Sequence, residues 1–405
     1  MATDALDSSR ASAGVAQALA GLEHARERTF ALVEHLEDAQ LECVHSPIMS
    51  PLVWDLGHIA AYEDLWLAHR LGERELLRAD LAALYDAFET PRAIRGEIET
   101  LGPGEARDYL AEVRERSVQT LSERGIGDGV VCEMVIRHEL QHGETMRQTL
   151  AIAGLLGEAD AQARDRPLGQ AADGRTAGGA TGAPSGEGWL DVAEGPFAMG
   201  APGDGFAYDN ERPRHDARTS RFQIARRPAT NGDWLRFAAE GGYEREQLWS
   251  RPGWAWLGEQ QQALHPAIAE GHPDAPACHV SWFEAQAFAR AHGARLPSEA
   301  EWEKAATRQG SALDGVGRVW EWTESAFRGY PGFVAHPYRE YSEVFFGDDY
   351  RVLRGGSWAT DRRVANPRFR NWDLPQRRQI FAGVRLARDA GPRARPGTGG
   401  ADDLR

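Results

Sequence analysis

Three histidines have the spacing of a metal site built on two helices. His138 and His142 are four residues apart within a run of helix-forming residues, and side chains at this spacing leave the same face of a helix. His58 lies in a second helical stretch that opens with Ser50-Pro51, a favourable N-cap followed by proline at the first helical position. Three imidazoles from two helices would leave coordination positions open for substrate or oxygen, as non-haem iron chemistry requires. The spacing alone also occurs in solvated histidine pairs, so it favours a metal site without establishing one.

Helix geometry assigns different positions to the neighbours of His142. At roughly 100° per residue, Glu144 faces away from the two histidines. We therefore predict that Glu144 is not a metal ligand and instead makes a supporting contact or an ion pair. Gln141 and Thr145 flank the histidine face, where their side chains would line a pocket beside the metal.

The composition is that of a globular protein with an acidic surface. The chain has 405 residues, of which 42% are hydrophobic, and a net charge of −15. This predicts two or three domains and argues against nucleic acid or an anionic membrane as a partner. The three cysteines, Cys43, Cys132 and Cys278, are scattered and odd in number, which is typical of reduced thiols. With neither a signal peptide nor a membrane span in the sequence, we expect a cytoplasmic enzyme that acts as a monomer.

Residues 12–157 have the periodicity of an all-α bundle. Apolar residues recur at helical spacing, and few stretches alternate with period two. The predicted helices are residues 16–41, 50–71, 106–124 and 128–156, with a shorter helix over 73–88 ahead of a proline. The sequence of this half therefore predicts a four-helix bundle.

The rest of the chain has three different compositions. Residues 158–188 are dominated by Gly, Ala, Asp, Arg, Pro and Ser, which predicts a flexible linker. In residues 189–388, short apolar pieces are interrupted by Gly, Pro and Asn, and tryptophans are frequent. Only 282–292 and 298–307 are clear helix predictions, so we expect a loop-rich α+β domain held by aromatic packing. Residues 389–405 are predicted to be a disordered tail.

Several phrases of the second half are more specific than its composition. They are Gly-Pro-Phe-Ala-Met-Gly at 195–200, Asp-Asn-Glu-Arg-Pro at 209–213, Arg-Leu-Pro-Ser-Glu-Ala-Glu-Trp-Glu at 295–303, Val-Trp-Glu-Trp-Thr at 319–323 and Arg-Gly-Gly-Ser-Trp at 354–358. Together they resemble the formylglycine-generating-enzyme-like domain, a fold related to C-type lectins. The formylglycine-generating enzymes use reactive cysteines in the C-terminal part of that domain. Here Cys278 is the domain's only cysteine and Ala359 follows the Arg-Gly-Gly-Ser-Trp phrase, so cysteine-based oxidation is not expected.

The first half adds a second resemblance. Ser-Pro-Leu-Val-Trp-Asp-Leu-Gly-His-Ile at 50–59 and His-Glu-Leu-Gln-His-Gly-Glu at 138–144 resemble the DinB-like bundle of the sulfoxide synthases of ergothioneine biosynthesis, also called hercynine oxygenases. The resemblance continues in residues 369–385 and covers about 12–157 and 189–388. It implies an enzyme that uses Fe(2+) and O2 to join γ-glutamylcysteine to hercynine as a sulfoxide.

The resemblance also implies roles for individual residues. His58, His138 and His142 match the iron ligands, while Gln141, Asn371 and Trp372 match the hercynine site. A tryptophan face suits the quaternary ammonium of hercynine through cation–π attraction. Arg92 and Arg377 match the carboxylate clamps for γ-glutamylcysteine, Asp373 matches the partner of its amine, and Arg95 is an additional clamp candidate. Without the resemblance, Arg92 and Arg95 would be interpreted as solvated charges and Asp373–Arg377 as an ordinary salt bridge.

A tyrosine is expected beside the metal. Residues 337–346 resemble the segment that carries the active-site tyrosine in actinobacterial-type members, which implies that Tyr338 supplies a proton or electron equivalent and favours C–S bond formation over thiol dioxygenation. Tyr341, three residues later, is the alternative. Either residue could instead be a packed aromatic with a satisfied hydroxyl.

One departure and three alternatives remain open. Residues 304–318 are much shorter than the corresponding segment of the family, which puts substrate details in doubt more than the type of reaction. A selenoneine synthase that takes a selenosugar, or an enzyme that uses cysteine as the thiol, would have the same architecture. A catalytically inactive binding homologue is the third alternative, although retention of all three histidines and Tyr338 argues against it.

Overall fold

The computed structural model of the protein describes residues 2–170 and 188–390, and these form a helical bundle followed by a mixed domain. The bundle contains α1 (Ala2–Val33), α2 (Asp38–Glu42), α3 (Leu52–Glu63), α4 (Pro103–Arg124) and α5 (Val130–Ala153), and α3 continues as a π-helix over Asp64–Leu71. The four predicted long helices are thus present. The first differs from its prediction, since the helix ends at Val33 and a separate short helix, α2, follows.

The segment between the π-helix and α4 carries two residues of the predicted substrate site. The expected helix over 73–88 is wrong, because its only helical residues are the 3-10 turn Ala79–Leu81. Contacts with α3 and the π-helix use the backbone groups that a helix would pair internally: Leu77 donates to the Asp64 carboxylate, and the Leu84 carbonyl accepts from the Trp54 indole. Tertiary hydrogen bonds have therefore overridden local helix propensity.

Four charges, one from each long helix, fix the spacing of the bundle; Arg26, Glu63 and Glu139 are buried and Arg114 is half-buried. Arg26 of α1 donates to Glu63 of α3 and to Glu139 of α5 at 2.9 and 2.8 Å. Arg114 of α4 donates to the same two carboxylates at 2.8 and 3.3 Å. Buried charges are stable only when they are paired in this way, so this four-charge network specifies how the four helices pack.

The predicted linker begins later than expected. Residues Glu158–Arg164 form helix α6, whose Asp160 makes a 2.9 Å ion pair with Arg147 of α5. Farther on, the amide of Leu168 donates to the carbonyl of Asp274 in the second domain. These contacts order a segment that composition alone assigned to a linker. Residues 171–187 of that linker lie outside the described residues.

The second domain contains three small sheets. A three-stranded antiparallel sheet has the order β1 (Trp189–Val192), β4 (Phe222–Ala225), β9 (Ala387–Asp389), and β2 (Gly195–Met199) pairs with β3 (His215–Thr219). The third sheet has the order β7 (Asn371–Asp373), β6 (Arg351–Arg354), β5 (Trp320–Ala326), β8 (Ala382–Gly383). Asp389, which the sequence assigns to the disordered tail, instead pairs with Phe222 in this sheet, and residues 391–405 lie outside the described residues.

Five helices cover these sheets. They are α7 (Asn231–Ala239), α8 (Arg251–Gly258), α9 (Pro266–Glu270), α10 (Trp282–Ala291) and α11 (Glu299–Gln309). The last two confirm the predicted helices, and Ser281 and Ser298 cap them through hydrogen bonds to their third helical residues. A fully buried ion pair between Arg385 and Glu321, at 2.7 Å, ties the C-terminal strands to β5.

One hydrophobic cluster spans the two domains. A single cluster of buried apolar side chains includes Ile136 and Leu140 of α5 together with Trp320, Trp322 and Phe369 of the second domain. The short 304–318 connection also reaches the first domain, because Arg318 donates to the Arg166 carbonyl just after α6. Within the described residues, no helix is both long and apolar enough to cross a membrane.

Candidate metal centre and substrate cavity

The three predicted metal ligands converge at the face of the bundle that meets the second domain. His58 comes from α3, and His138 and His142 come from successive turns of α5. One nitrogen from each imidazole lies within 4.8 Å of the other two. The Nε2 atoms of His58 and His138 are 3.1 Å apart, a close approach that a cation between them would stabilise. No carboxylate belongs to this cluster among the described residues.

The outer nitrogens of two of the histidines are held by the protein. His58 Nδ1 donates to the carbonyl of Tyr85 at 2.6 Å, and His142 Nδ1 lies 3.2 Å from the carboxylate of Asp55. Each contact keeps the proton on Nδ1 and leaves Nε2 as the lone-pair donor, which is how proteins orient metal-binding histidines. The other oxygen of Asp55 is buried without a protein partner.

The protonation of the cluster also suits a metal. Burial, together with the neighbouring imidazoles, lowers the pKa of His58 and of His138 well below the usual value. Both rings are therefore neutral near pH 7 and present a free lone pair. Three imidazole nitrogens with coordination positions left open fit Fe(2+) or another divalent ion with a preference for nitrogen ligands, so the residues present match the metal that the sequence predicts.

A close approach of the segment 73–102 to α3 positions His58. A Cβ atom on Gly57 would lie 2.2 Å from the ring of Tyr85, whose hydroxyl accepts from the Leu101 amide at 3.0 Å. Only glycine leaves room for this ring. The Tyr85 carbonyl can consequently reach His58 from a loop rather than from a neighbouring helix.

A cavity of about 660 Å³ opens onto the histidine cluster. Its walls include the three histidines, Tyr62, Trp66 and Tyr85 from the first domain, and Tyr338, Tyr341 and Phe345 from the second. Tyr338 packs on Trp66, with ring centroids 5.3 Å apart, and its hydroxyl lies 3.1 Å from that of Tyr62. The structure therefore brings the predicted catalytic tyrosine to the cavity that holds the predicted ligands.

Tyr341, the alternative tyrosine, occupies a different wall. Its ring stacks on that of Tyr208 with centroids 4.3 Å apart, and the Tyr208 hydroxyl donates to Gln141 at 2.8 Å. Burial raises the pKa of Tyr341 well above its usual value. Tyr341 thus lies against Tyr208, which binds the predicted hercynine residue Gln141, whereas the hydroxyl of Tyr338 contacts Tyr62, which stacks on the predicted ligand His138.

Trp372, a further predicted hercynine residue, lies beside Tyr341, although neither Trp372 nor Asn371 is among the residues that line the cavity. Trp372 of β7 lies edge-on to Tyr341 at 6.1 Å and stacks on Phe327 at 4.2 Å. Asn371 precedes it on β7, and its side-chain oxygen accepts from the Trp372 amide. The half-buried Trp372 ring is accordingly held in one orientation.

Charged groups from both domains form the adjoining cluster. The charges of Arg377 and Arg92 both lower the pKa of Asp373, although its burial raises that pKa by more. Arg92, from a 3-10 turn of the first domain, also acts electrostatically on His58. Among the described residues, neither arginine side chain has a hydrogen-bond or ion-pair partner. Within the described residues no salt bridge joins Asp373 to Arg377, the alternative that the sequence left open. The guanidinium groups of Arg92 and Arg377 could therefore each bind an anion.

Arg95 does not belong to the charged cluster of Arg92, Asp373 and Arg377. Its guanidinium is buried 3.5 Å above the Trp54 ring and donates to Ser50 Oγ and to the carbonyls of Thr90 and Ala87. Ser50 therefore binds Arg95 instead of capping α3, for which the N-cap is Pro51. This geometry favours a role for Arg95 in holding the loop rather than a direct contact with substrate.

Glu144 does not belong to the histidine cluster, as its helical position predicts, and its side chain contacts the second domain. Its carboxylate accepts hydrogen bonds from Trp320, Ser357 and Thr360 at 2.7, 2.7 and 2.6 Å.

The second domain shows how its single cysteine is placed. Ala359, which follows the Arg-Gly-Gly-Ser-Trp phrase, is buried. Burial raises the pKa of Cys278 to about 12, which keeps its thiol protonated, and all three cysteines are free. The buried Cys278 thiol is the only thiol of the second domain.

Sequence reasoning missed three residues of this site. Tyr62 follows His58 by four positions and Asp55 precedes it by three, so both lie on the histidine face of the predicted helix. This spacing is therefore enough to predict from the sequence that Tyr62 and Asp55 lie beside His58. Tyr85 contributes its backbone carbonyl, for which residue types carry no signal.

Comparisons with known proteins agree with this geometry. A family model of the DinB superfamily matches residues 21–146, and one of the sulfatase-modifying factor enzyme 1-like domain matches 179–314 and 311–390. The hercynine oxygenase of Mycobacterium tuberculosis is 40% identical over 91% of this chain and 97% of that protein. Those of Mycolicibacterium thermoresistibile and Mycolicibacterium smegmatis are 38% and 39% identical over 92% and 90% of this chain, and 95% and 97% of those proteins. With both domains matched along the chain and relatives of 38–40% identity covered almost completely, the chain belongs to the hercynine oxygenases of ergothioneine biosynthesis.

Proposed function

We propose that the protein is an Fe(2+)- and O2-dependent sulfoxide synthase that joins γ-glutamylcysteine to hercynine. The observation that carries the proposal is the convergence of His58, His138 and His142 with Tyr338 on one cavity. Iron, when bound by the three imidazoles, would activate O2 and bring the two substrates together in its open positions.

The overall reaction needs no further reductant. A C–H bond of hercynine and the S–H bond of the thiol are broken, while a C–S bond and an S–O bond form. One oxygen atom of O2 enters the sulfoxide, and the other leaves as water with the two hydrogens. The four electrons that reduce O2 come entirely from the two substrates.

The protein residues bind and orient these substrates. Trp372 offers a ring face to the quaternary ammonium of hercynine, and Gln141 and Asn371 offer polar atoms to its other groups. Arg92 and Arg377 are proposed to bind the carboxylates of γ-glutamylcysteine, and Asp373 its amine. A bound cation would offset the burial that raises the pKa of Asp373.

Tyr338 is proposed to be the catalytic tyrosine, and it supplies a proton or an electron equivalent from its hydroxyl. Support comes from its position on the cavity wall and its contact with Tyr62, the residue stacked on His138. Tyr341 is packed against Tyr208 and adjoins the substrate residues instead. We further propose a cytoplasmic location, which the three free cysteines support. That the protein acts as a monomer stays a prediction.

The test is aerobic turnover of the protein reconstituted with Fe(2+). Hercynine is supplied with γ-glutamylcysteine, with cysteine or with a selenosugar, and products are identified by mass spectrometry. We expect sulfoxide chiefly from γ-glutamylcysteine, with one O2 consumed per product. Preference for the selenosugar or for cysteine would assign a different donor. Tight substrate binding to the iron-loaded protein without any product would indicate a non-catalytic homologue.

A further inference from the structure

Tyr62 is the residue of the cavity that links the metal cluster to the second domain. Its ring is parallel to that of His138, with centroids 3.6 Å apart and planes 9° apart. Its hydroxyl lies 3.1 Å from the hydroxyl of Tyr338. One side chain of α3 therefore contacts both a metal ligand and the proposed catalytic tyrosine.

Within residues 2–170 and 188–390, the hydrogen bond with Tyr62 is the only contact that fixes the Tyr338 hydroxyl. Among the described residues, no other side chain or backbone group forms a hydrogen bond with that oxygen. Its ring is held by Trp66 at 5.3 Å and by Tyr341 edge-on at 6.2 Å. These apolar contacts position the ring but leave the direction of the O–H bond undetermined.

The direction of the Tyr62–Tyr338 hydrogen bond matters for proton delivery. A pair of hydroxyls has two protons, of which one lies in the shared hydrogen bond. If Tyr338 donated, its proton would point at Tyr62 and away from a substrate. If Tyr62 donates, the Tyr338 oxygen accepts and its own proton remains free to face the cavity.

We propose that Tyr62 is a positioning residue that donates its hydroxyl proton to Tyr338 and so holds the Tyr338 proton toward the cavity. The inference rests on the proposed sulfoxide synthase function. Stacking on His138 fixes the Tyr62 ring relative to the metal cluster. The hydrogen bond between the two hydroxyls then fixes the Tyr338 hydroxyl relative to the same cluster, although Tyr338 belongs to the second domain.

The experiment uses the full-length, iron-reconstituted protein and the variants Tyr62→Phe, Tyr338→Phe and the double variant. Tyr62→Phe retains the stacked ring and removes only the hydroxyl. We expect unchanged iron content and unchanged Michaelis constants. The ratio of sulfoxide to sulfinic acid should fall about 3- to 10-fold, which is the effect of losing one neutral hydrogen bond.

The double variant separates positioning from simple packing. If Tyr62 acts through Tyr338, the double variant should partition its products like Tyr338→Phe alone, because the two changes are not independent. Tyr330→Phe is the matched control, since the buried Tyr330 hydroxyl in the second domain has no protein hydrogen-bond partner.

Each outcome bears on one of the two proposals. A wild-type protein that forms no sulfoxide contradicts the proposed function. With an active wild type, Tyr62→Phe with wild-type partitioning overturns the positioning role, and so does additivity in the double variant. Loss of iron from Tyr62→Phe would also overturn it, because the residue would then support the metal cluster directly.

Discussion

The indole of Trp320 donates to the carboxylate of Glu144 at 2.7 Å, across the boundary between the two domains. Glu144 lies only two residues beyond His142 on α5, with its side chain turned to the second domain. The helix that supplies two predicted metal ligands is thereby also the helix that holds the second domain in place. Domain docking and the metal cluster depend on the same element.

Glu144→Ala is expected to weaken that docking. Trp320, Ser357 and Thr360 would each lose an acceptor in a buried setting, and each buried unsatisfied donor costs roughly 1–3 kcal/mol. Thermal unfolding should therefore shift to lower temperature by several degrees. Glu112→Ala, an exposed position on α4, serves as the control. An unchanged midpoint for Glu144→Ala would show that the apolar core alone docks the domains.

His138→Ala should abolish iron binding and turnover. The two remaining imidazoles would offer too few ligands to retain Fe(2+) against buffer. Metal analysis after reconstitution measures this, with the exposed His35→Ala as the control. X-ray absorption of the wild-type protein should detect imidazole nitrogens and no protein carboxylate. Stoichiometric iron in His138→Ala, or a carboxylate ligand, would mean that the three-histidine assignment is wrong.

Arg377→Ala should impair use of the thiol donor selectively. A lost charge-assisted hydrogen bond of about 1.5–3 kcal/mol raises the Michaelis constant for γ-glutamylcysteine roughly 10- to 150-fold. The affinity for hercynine should stay near wild type. Arg308→Ala, exposed on α11, controls for net charge. If the affinity for hercynine fell instead and the Michaelis constant for γ-glutamylcysteine did not change, Arg377 would belong to the hercynine subsite.

Tyr338→Phe should alter the product rather than substrate binding. The ring keeps its packing on Trp66, while the hydroxyl that supplies the proton or electron is removed. Because oxidation of a thiol to sulfinic acid also consumes one O2, oxygen uptake should continue as sulfoxide declines. Mass spectrometry of the products, alongside Tyr341→Phe, measures the ratio. Sulfoxide at the wild-type rate without sulfinic acid would falsify the assignment of Tyr338.

Glu63→Gln should destabilise the bundle in a pH-dependent way. Burial raises the pKa of the Glu63 carboxyl, but Arg114 and Arg26 outweigh it, and the net pKa lies below its usual value. A lowered pKa adds stability above the unfolded-state value of about 4.3, and this stability is lost as the pH falls through the folded-state pKa. Breaking a buried pair costs about 3–5 kcal/mol at neutral pH.

Urea unfolding measures this effect. The difference in stability between wild type and Glu63→Gln should be largest near neutral pH and shrink in acid. The exposed Glu115→Gln on α4 should show little difference throughout. A difference that is constant with pH would indicate that the Glu63 side chain contributes through its shape rather than its charge.

The sequence predicted the helices more successfully than the loops. The spacing of His138 and His142, and the side to which Glu144 turns, follow from helical periodicity alone. Residues 73–88 were predicted incorrectly because contacts with Asp64 and Trp54, distant along the chain, decide their conformation. The contact of Tyr62 with Tyr338, 276 residues apart, depends on how the two domains dock, which local patterns do not encode.

The four-charge network sets the helix spacing from positions that are separate from the side chains lining the cavity. Glu63 directly follows Tyr62, and Glu139 directly follows His138, yet none of the four charged residues lines the cavity. The helices that carry the stacked rings of Tyr62 and His138 are therefore held together by ion pairs that lie outside the cavity. New substrate preferences can arise by replacing cavity side chains while the inherited helix spacing is preserved, so this bundle is well suited to divergence and to redesign.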